Sequence, residues 1–201
     1  MRRAILISVI IAGFSGWAHA QLPSRGNISL HADESRLYSS YCRVNPGNPI
    51  AKIELWIWCL PSENGLRGAE FAVGYPANVI LDRTVYNASL SAIVGNPLTG
   101  ISASFSACQW DWCWISHQTF YINSTEETYL EVLPHPELGV FQFRNCDSGN
   151  PAEPCLKGTT LYLNVQTTPC LPPEAAIGIE GATWGGMKSL FSGVAEAPSA
   201  N

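Results

Sequence analysis

Residues 100–107 alternate without interruption. Ile101, Ala103, Phe105 and Ala107 fall on one side, and Ser102, Ser104 and Ser106 on the other. A period of two is the mark of a half-buried strand. The same alternation recurs over 27–32, with Ile28, Leu30 and Ala32 against Ser29 and His31, and over 159–166, with Leu161, Leu163 and Val165 on one face. Residues 53–60 are apolar on both faces: Ile53, Leu55, Ile57 and Cys59 oppose Trp56, Trp58 and Leu60. Such a strand is either central or exposes one aromatic face. Breakers separate these runs, among them Asn45-Pro46-Gly47, Asn64-Gly65, Pro76 and Asn96-Pro97. About nine short strands with a turn signal every ten or so residues predict an all-β fold. The architecture expected is a two-sheet antiparallel sandwich, immunoglobulin-like in the broad sense, with a short C-terminal helix or tail. Residues 129–133 and 140–144, joined through Pro134-His135-Pro136, read as a hairpin.

The first twenty residues read as an export signal. Arg2 and Arg3 precede an apolar run over 4–14, and Ala18-His19-Ala20 places small residues where a signal peptidase cuts, before Gln21. The apolar run is shorter than the roughly 20 residues a membrane-spanning helix needs. The expected division is therefore a signal peptide over 1–20, a sandwich domain over 21–171, and a linker with tail over 172–201. No second long apolar stretch predicts a membrane span. Removing residues 1–20 takes away two of the eleven basic residues and none of the 16 acidic ones, which moves the net charge from −5 to −7. An acidic chain of this size repels a phosphate backbone, so nucleic acid is not an expected partner.

Export also governs how the seven cysteines are read. Cys42, Cys59, Cys108, Cys113, Cys146, Cys155 and Cys170 all follow the leader. In an oxidising compartment six can pair and one is left over. Cys108–Cys113 and Cys146–Cys155 span short, turn-rich segments and are plausible local bridges, with Cys146–Cys170 a rival. The chain has no C-x-x-C and no histidine pair beside the thiols, so neither a metal nor another cofactor is expected.

Two sets of side chains invite a function. Trp110, Trp112 and Trp114 alternate, as do Trp56 and Trp58, so an extended backbone projects each set to one side. Aromatic rings on a β surface stack on sugars or anchor a protein partner, although large aromatics also serve as core. Hydrolysis of a glycosidic bond needs two carboxylates. Asp33, Glu34, Glu54, Glu70, Asp111 and Glu131 are available, and Glu54 and Glu70 lie on strands among apolar residues.

Several segments, ISLHADE, GAEFAVGYP, YLEVLPHPELGVFQFRNCD and ATWGGMKSLF, resemble a family of secreted bacterial proteins with a predicted β-sandwich and a C-terminal Trp-Gly-x-x-Lys tail. The chain departs from that pattern at Met187, where the family has Ile, and at Phe191, where it has Tyr. It also continues over 192–201. The resemblance implies a sandwich and export, and no activity. The sequence thus points first to a secreted, non-catalytic binding or structural module contacting a glycan or an envelope protein through its aromatics. The alternative is a secreted hydrolase of envelope polymer or glycan that uses a carboxylate pair such as Glu54 and Glu70.

Overall fold

The computed structural model describes residues 25–44, 50–167 and 169–175. The leader and the tail, with its Trp-Gly-x-x-Lys motif, lie outside the described residues. In chain order the strands are β1 (Asn27–His31), β2 (Ser40–Cys42), β3 (Ala51–Leu60), β4 (Leu66–Gly74), β5 (Val79–Tyr86), β6 (Leu90–Asn96) and β7 (Gly100–Gln109). The second half supplies β8 (Cys113–Ile122), β9 (Thr128–Leu133), β10 (Gln142–Arg144), β11 (Ala152–Pro154), β12 (Leu156–Lys157), β13 (Leu161–Val165) and β14 (Glu174–Ala175). Among the described residues no helix is long and apolar enough to cross a membrane.

The strands form two sheets packed as a sandwich. The first runs β12-β1-β3-β8-β5, with β14 also on β3. The second runs β11-β10-β4-β9-β13-β2, with β7 on β4 and β6 on β7. Pairing is antiparallel except for β1 with β12 and β13 with β2, so both sheets are mixed rather than purely antiparallel. Strand β14 extends the sandwich past residue 171.

Alternation decides what is inside. Ile53, Leu55, Ile57 and Cys59 of β3 face Phe71 and Val73 of β4, Ile101 and Phe105 of β7, and Leu161 and Leu163 of β13 across one apolar cluster. Phe71, Phe105, Phe120 and Phe143 are fully buried, each contributing about 1.5–3 kcal/mol of transfer free energy.

The expected hairpin over 129–144 does not form. Both β9 and β10 pair with β4: Leu133 sits opposite Ala72 and Gln142 opposite Glu70. They are one interrupted strand, from which residues 134–141 make an excursion. The excursion is tied at its base by His135 N–H donating to the Val140 carbonyl (3.0 Å), with Gly139 at φ 69°. The turn chemistry was correctly placed, but β4 holds both flanks and returns the chain to the line it left.

The disulfides also differ from expectation. Cys42 is bonded to Cys170 and Cys108 to Cys146, while Cys59, Cys113 and Cys155 are unpaired and buried. Neither local bridge forms, nor does Cys146–Cys170, and three thiols remain instead of one. Cys113 points into the core opposite Cys59, whereas Cys108 is the last residue but one of β7 in the other sheet, so the two diverge despite their nearness in sequence. Burial pushes the Cys113 and Cys155 thiols up to about 12 and the Cys59 thiol well above its usual value, which leaves them protonated and unreactive as nucleophiles.

Candidate functional site

On β3 the inner face takes Ile53, Leu55 and Ile57, so Glu54, Trp56 and Trp58 point outward. Pairing with β8 sets Trp114 opposite Trp58 and His117 opposite Trp56. Four rings then meet on one outer surface. Trp56 stacks on His117 (4.3 Å between centroids, 12° between planes), meets Trp114 edge-on at 5.5 Å, and lies 6.4 Å from Trp58. The row is extended by the turn after β1. The Arg36 guanidinium lies between Trp58 and Trp112, 4.6 Å and 4.8 Å from their centroids. His31 meets Trp112 edge-on at 6.3 Å.

The turn that delivers Arg36 is built by Asp33. Its carboxylate accepts the N–H of Tyr38 at 2.9 Å and of Leu37 at 3.4 Å, and the hydroxyl of Ser35. Arg36 itself adopts φ 62°, a left-handed conformation that costs a non-glycine residue about 1–2 kcal/mol. The turn covers Trp58, which is only 7% exposed, and leaves Leu37 at its crest 77% exposed.

Ring nitrogens in this row lack partners. Nε1 of Trp56, Nε1 of Trp58 and both nitrogens of His31 are buried without a hydrogen bond. His117 Nε2 lies 3.3 Å from Glu54 Oε2, within ion-pair distance, but off the line a hydrogen bond requires. Burial, and secondly the charge of Arg36, lowers the pKa of His31.

The row opens at one end onto a cleft of about 280 Å³. Its origin is a gap in the sheet. On the edge of β3 away from β8, β1 pairs no further than Trp56 and β14 begins only at Lys52. The Tyr41 hydroxyl fills the gap, accepting the Glu54 N–H at 2.8 Å and facing the carbonyls of Ala32 and Glu54 at 2.9 and 3.0 Å. Asp33, Glu34, Lys52, Glu54, Trp56 and Glu174 border the space, and Lys52 pairs with Glu174 at 3.1 Å.

The sequence candidates divide accordingly. Trp56, Trp58, Trp112 and Trp114 are brought together, with Glu54 beside them. Trp110 is not: the chain turns between β7 and β8, so 110, 112 and 114 are not one extended segment. Trp110 packs across Gly65, where a Cβ would come within 3.0 Å of its ring and 2.7 Å of Cys146 Sγ, and it is 56% exposed. Glu54 and Glu70 do not form a pair. Each lies between buried neighbours on a different sheet, so they point out of opposite sides of a sandwich whose sheets alone stand about 10 Å apart. Glu70 is instead engaged by Gln142 and by Arg144 at 3.5 Å. Among the described residues no group of His, Cys, Asp or Glu is arranged to hold a metal ion. Arg36, Tyr41 and Lys52 carried no signal in the sequence, since each acts on partners that are distant along the chain.

No protein-family model matches the chain, and no curated protein does either. Among solved structures it is similar to the seventh ScaB type I cohesin from Pseudobacteroides cellulosolvens (14% identity, 72% of this chain and 94% of that one, TM-score 0.47). It is also similar to a cohesin module from a Clostridium perfringens family 33 glycoside hydrolase (13% identity, 70% and 98%, TM-score 0.49). A type III cohesin module from the ScaE cell-surface anchoring scaffoldin of Ruminococcus flavefaciens overlaps comparably (9% identity, 73% and 90%, TM-score 0.46). At this level of identity and overlap the likeness says nothing of what this chain binds.

Proposed function

We propose that the chain is an exported, non-catalytic binding module, and that the aromatic row on the outer face of its first sheet meets a protein partner. The observation that carries this reading is the convergence of Trp56, Trp58, Trp112, Trp114, His117 and Arg36 on one outer surface. Tryptophan and arginine are the residues that dominate protein interfaces. Leu37 at the crest of the covering turn adds an apolar anchor. The rings lie against one another, so the row offers little bare ring face for a sugar. The two disulfides support an oxidising destination, and the separation of Glu54 from Glu70 argues against the hydrolase alternative.

The test is retention of envelope proteins from a membrane-free extract on the immobilised domain. Trp112→Ala and Leu37→Ser are expected to lose a specific band that the wild type retains, with far-UV circular dichroism unchanged. Equal retention by both variants overturns the reading. One observation favours a second reading, in which a glycan is bound: Trp110 is the most open of the five candidate rings. Glycan-array binding abolished by Trp110→Ala and untouched by Trp112→Ala would establish it in place of the first.

A further inference from the structure

The cleft at the end of the aromatic row differs in character from the row itself. Asp33, Glu34, Glu54 and Glu174 border it, against the single cation Lys52. Lys52 pairs with Glu174 and also feels the charge of Glu54, Glu54 has His117 at 3.3 Å, and the Asp33 carboxylate accepts hydrogen bonds within its own turn. Glu34 is exposed and makes no ion pair among the described residues. The apolar part of the lining is supplied by Trp56, Leu171 and Pro172. The floor is closed by the Tyr41 hydroxyl, whose hydrogen bonds to the β3 backbone are already made.

We infer that this cleft is a socket for one lysine or arginine side chain of the partner that docks on the row; the inference rests on the protein-contact reading above. Lysine and arginine combine an apolar stem with a charged head, and the socket presents an apolar lining beside an anionic rim. Its volume, about 280 Å³, sits at the lower end of small-molecule sites and suits a single long side chain. A neutral sugar would use the carboxylates as acceptors but leave their charge uncompensated, and an anion would be repelled. Trp56 joins the two surfaces, since it lines the cleft and stacks within the row, so a partner seated on the rings brings its neighbouring residue to the rim.

The test uses tetralysine and tetraarginine as probes, with tetraglutamate and the tetramer of N-acetylglucosamine as controls, followed by NMR at the tryptophan indole N–H resonances. The cationic peptides are expected to shift the Trp56 resonance, with a dissociation constant that rises about tenfold between low and physiological salt, as charge pairing near a surface requires. Glu34→Gln combined with Glu174→Gln is expected to weaken that binding about tenfold, while Glu126→Gln combined with Glu127→Gln, away from the cleft, leaves it unchanged. Three results overturn the socket: no shift at Trp56, equal loss in both double variants, or a Trp56 shift with the neutral sugar instead. The two readings fail separately. If Trp112→Ala abolishes partner retention but Glu34→Gln with Glu174→Gln does not weaken it, the row stands and the socket falls. If Trp112→Ala and Leu37→Ser both leave retention intact, the row itself falls.

Discussion

Replacing Arg36 separates two opposing contributions at the turn that covers the aromatic row. The guanidinium lies 4.6 Å and 4.8 Å from two indole centroids. Each such contact stabilises by about 0.5–1 kcal/mol at an exposed site and about 2 kcal/mol when desolvated. Arg36→Ala is therefore expected to destabilise the fold by about 1–3 kcal/mol. The same residue holds φ 62°, which disfavours any side chain with a Cβ by about 1–2 kcal/mol. Glycine removes that strain but gives the unfolded chain more freedom, an offset of about 0.4–1 kcal/mol. Arg36→Gly should consequently cost less than Arg36→Ala, by roughly 0.5–1 kcal/mol. Arg36→Lys keeps the charge, loses the planar stacking and falls between wild type and Ala. Urea unfolding followed by far-UV circular dichroism measures all three, provided the m-values agree. The explanation is refuted if Arg36→Ala costs under about 0.5 kcal/mol, or if the glycine variant is less stable than the alanine variant.

Three further outcomes are expected. Loss of Cys42–Cys170, whose partners are 128 residues apart, should cost up to about 5 kcal/mol, and loss of Cys108–Cys146, with a separation of 38, up to about 4 kcal/mol; serine double variants compared by urea midpoint check the order, which reverses if native-state strain dominates. The depressed His31 pKa means that the unfolded chain binds more protons as pH falls through 6.5. The stabilisation from neutral His31 is thus complete above that pH and lost on acidification, so His31→Asn should flatten the decline in unfolding midpoint between about pH 7.5 and 5.5, and an unchanged slope rules the residue out. Cys59, Cys113 and Cys155 should resist iodoacetamide until denaturant opens the core, which peptide mass spectrometry reads directly; labelling of any of them in the native protein contradicts their burial.

What could be read in advance was local. The parity of Ile53, Leu55 and Ile57 against Trp56 and Trp58 told which side of β3 faces the core, and the serine face of β7 did the same. What could not be read was long-range register. The two tryptophans of β3 share a face by parity alone, but their contact with Trp114 and His117 depends on how β8 slides against β3. The Pro134-His135-Pro136 turn was visible, while the fact that β4 takes both of its flanks was not. Nearness in sequence misled for Cys108 and Cys113 because the turn between them passes from one sheet to the other. Arg36 gave no sign at all: its role comes from a turn closed by Asp33 and from rings contributed by two other segments.

The Cys42–Cys170 bond has a mechanical consequence. Beyond Cys170 the chain pairs with β2 through Leu171 and with the first sheet through the two residues of β14, and one of these, Glu174, forms a side of the acidic cleft. Tension applied beyond residue 175 would peel β14 from Lys52 and Ala51, then Leu171 from β2, and stop at the covalent bond of Cys170 to Cys42. The load path thus unzips the wall of the cleft first and spares the sandwich, so a pull on the C-terminal side would alter the cleft long before it unfolds the domain.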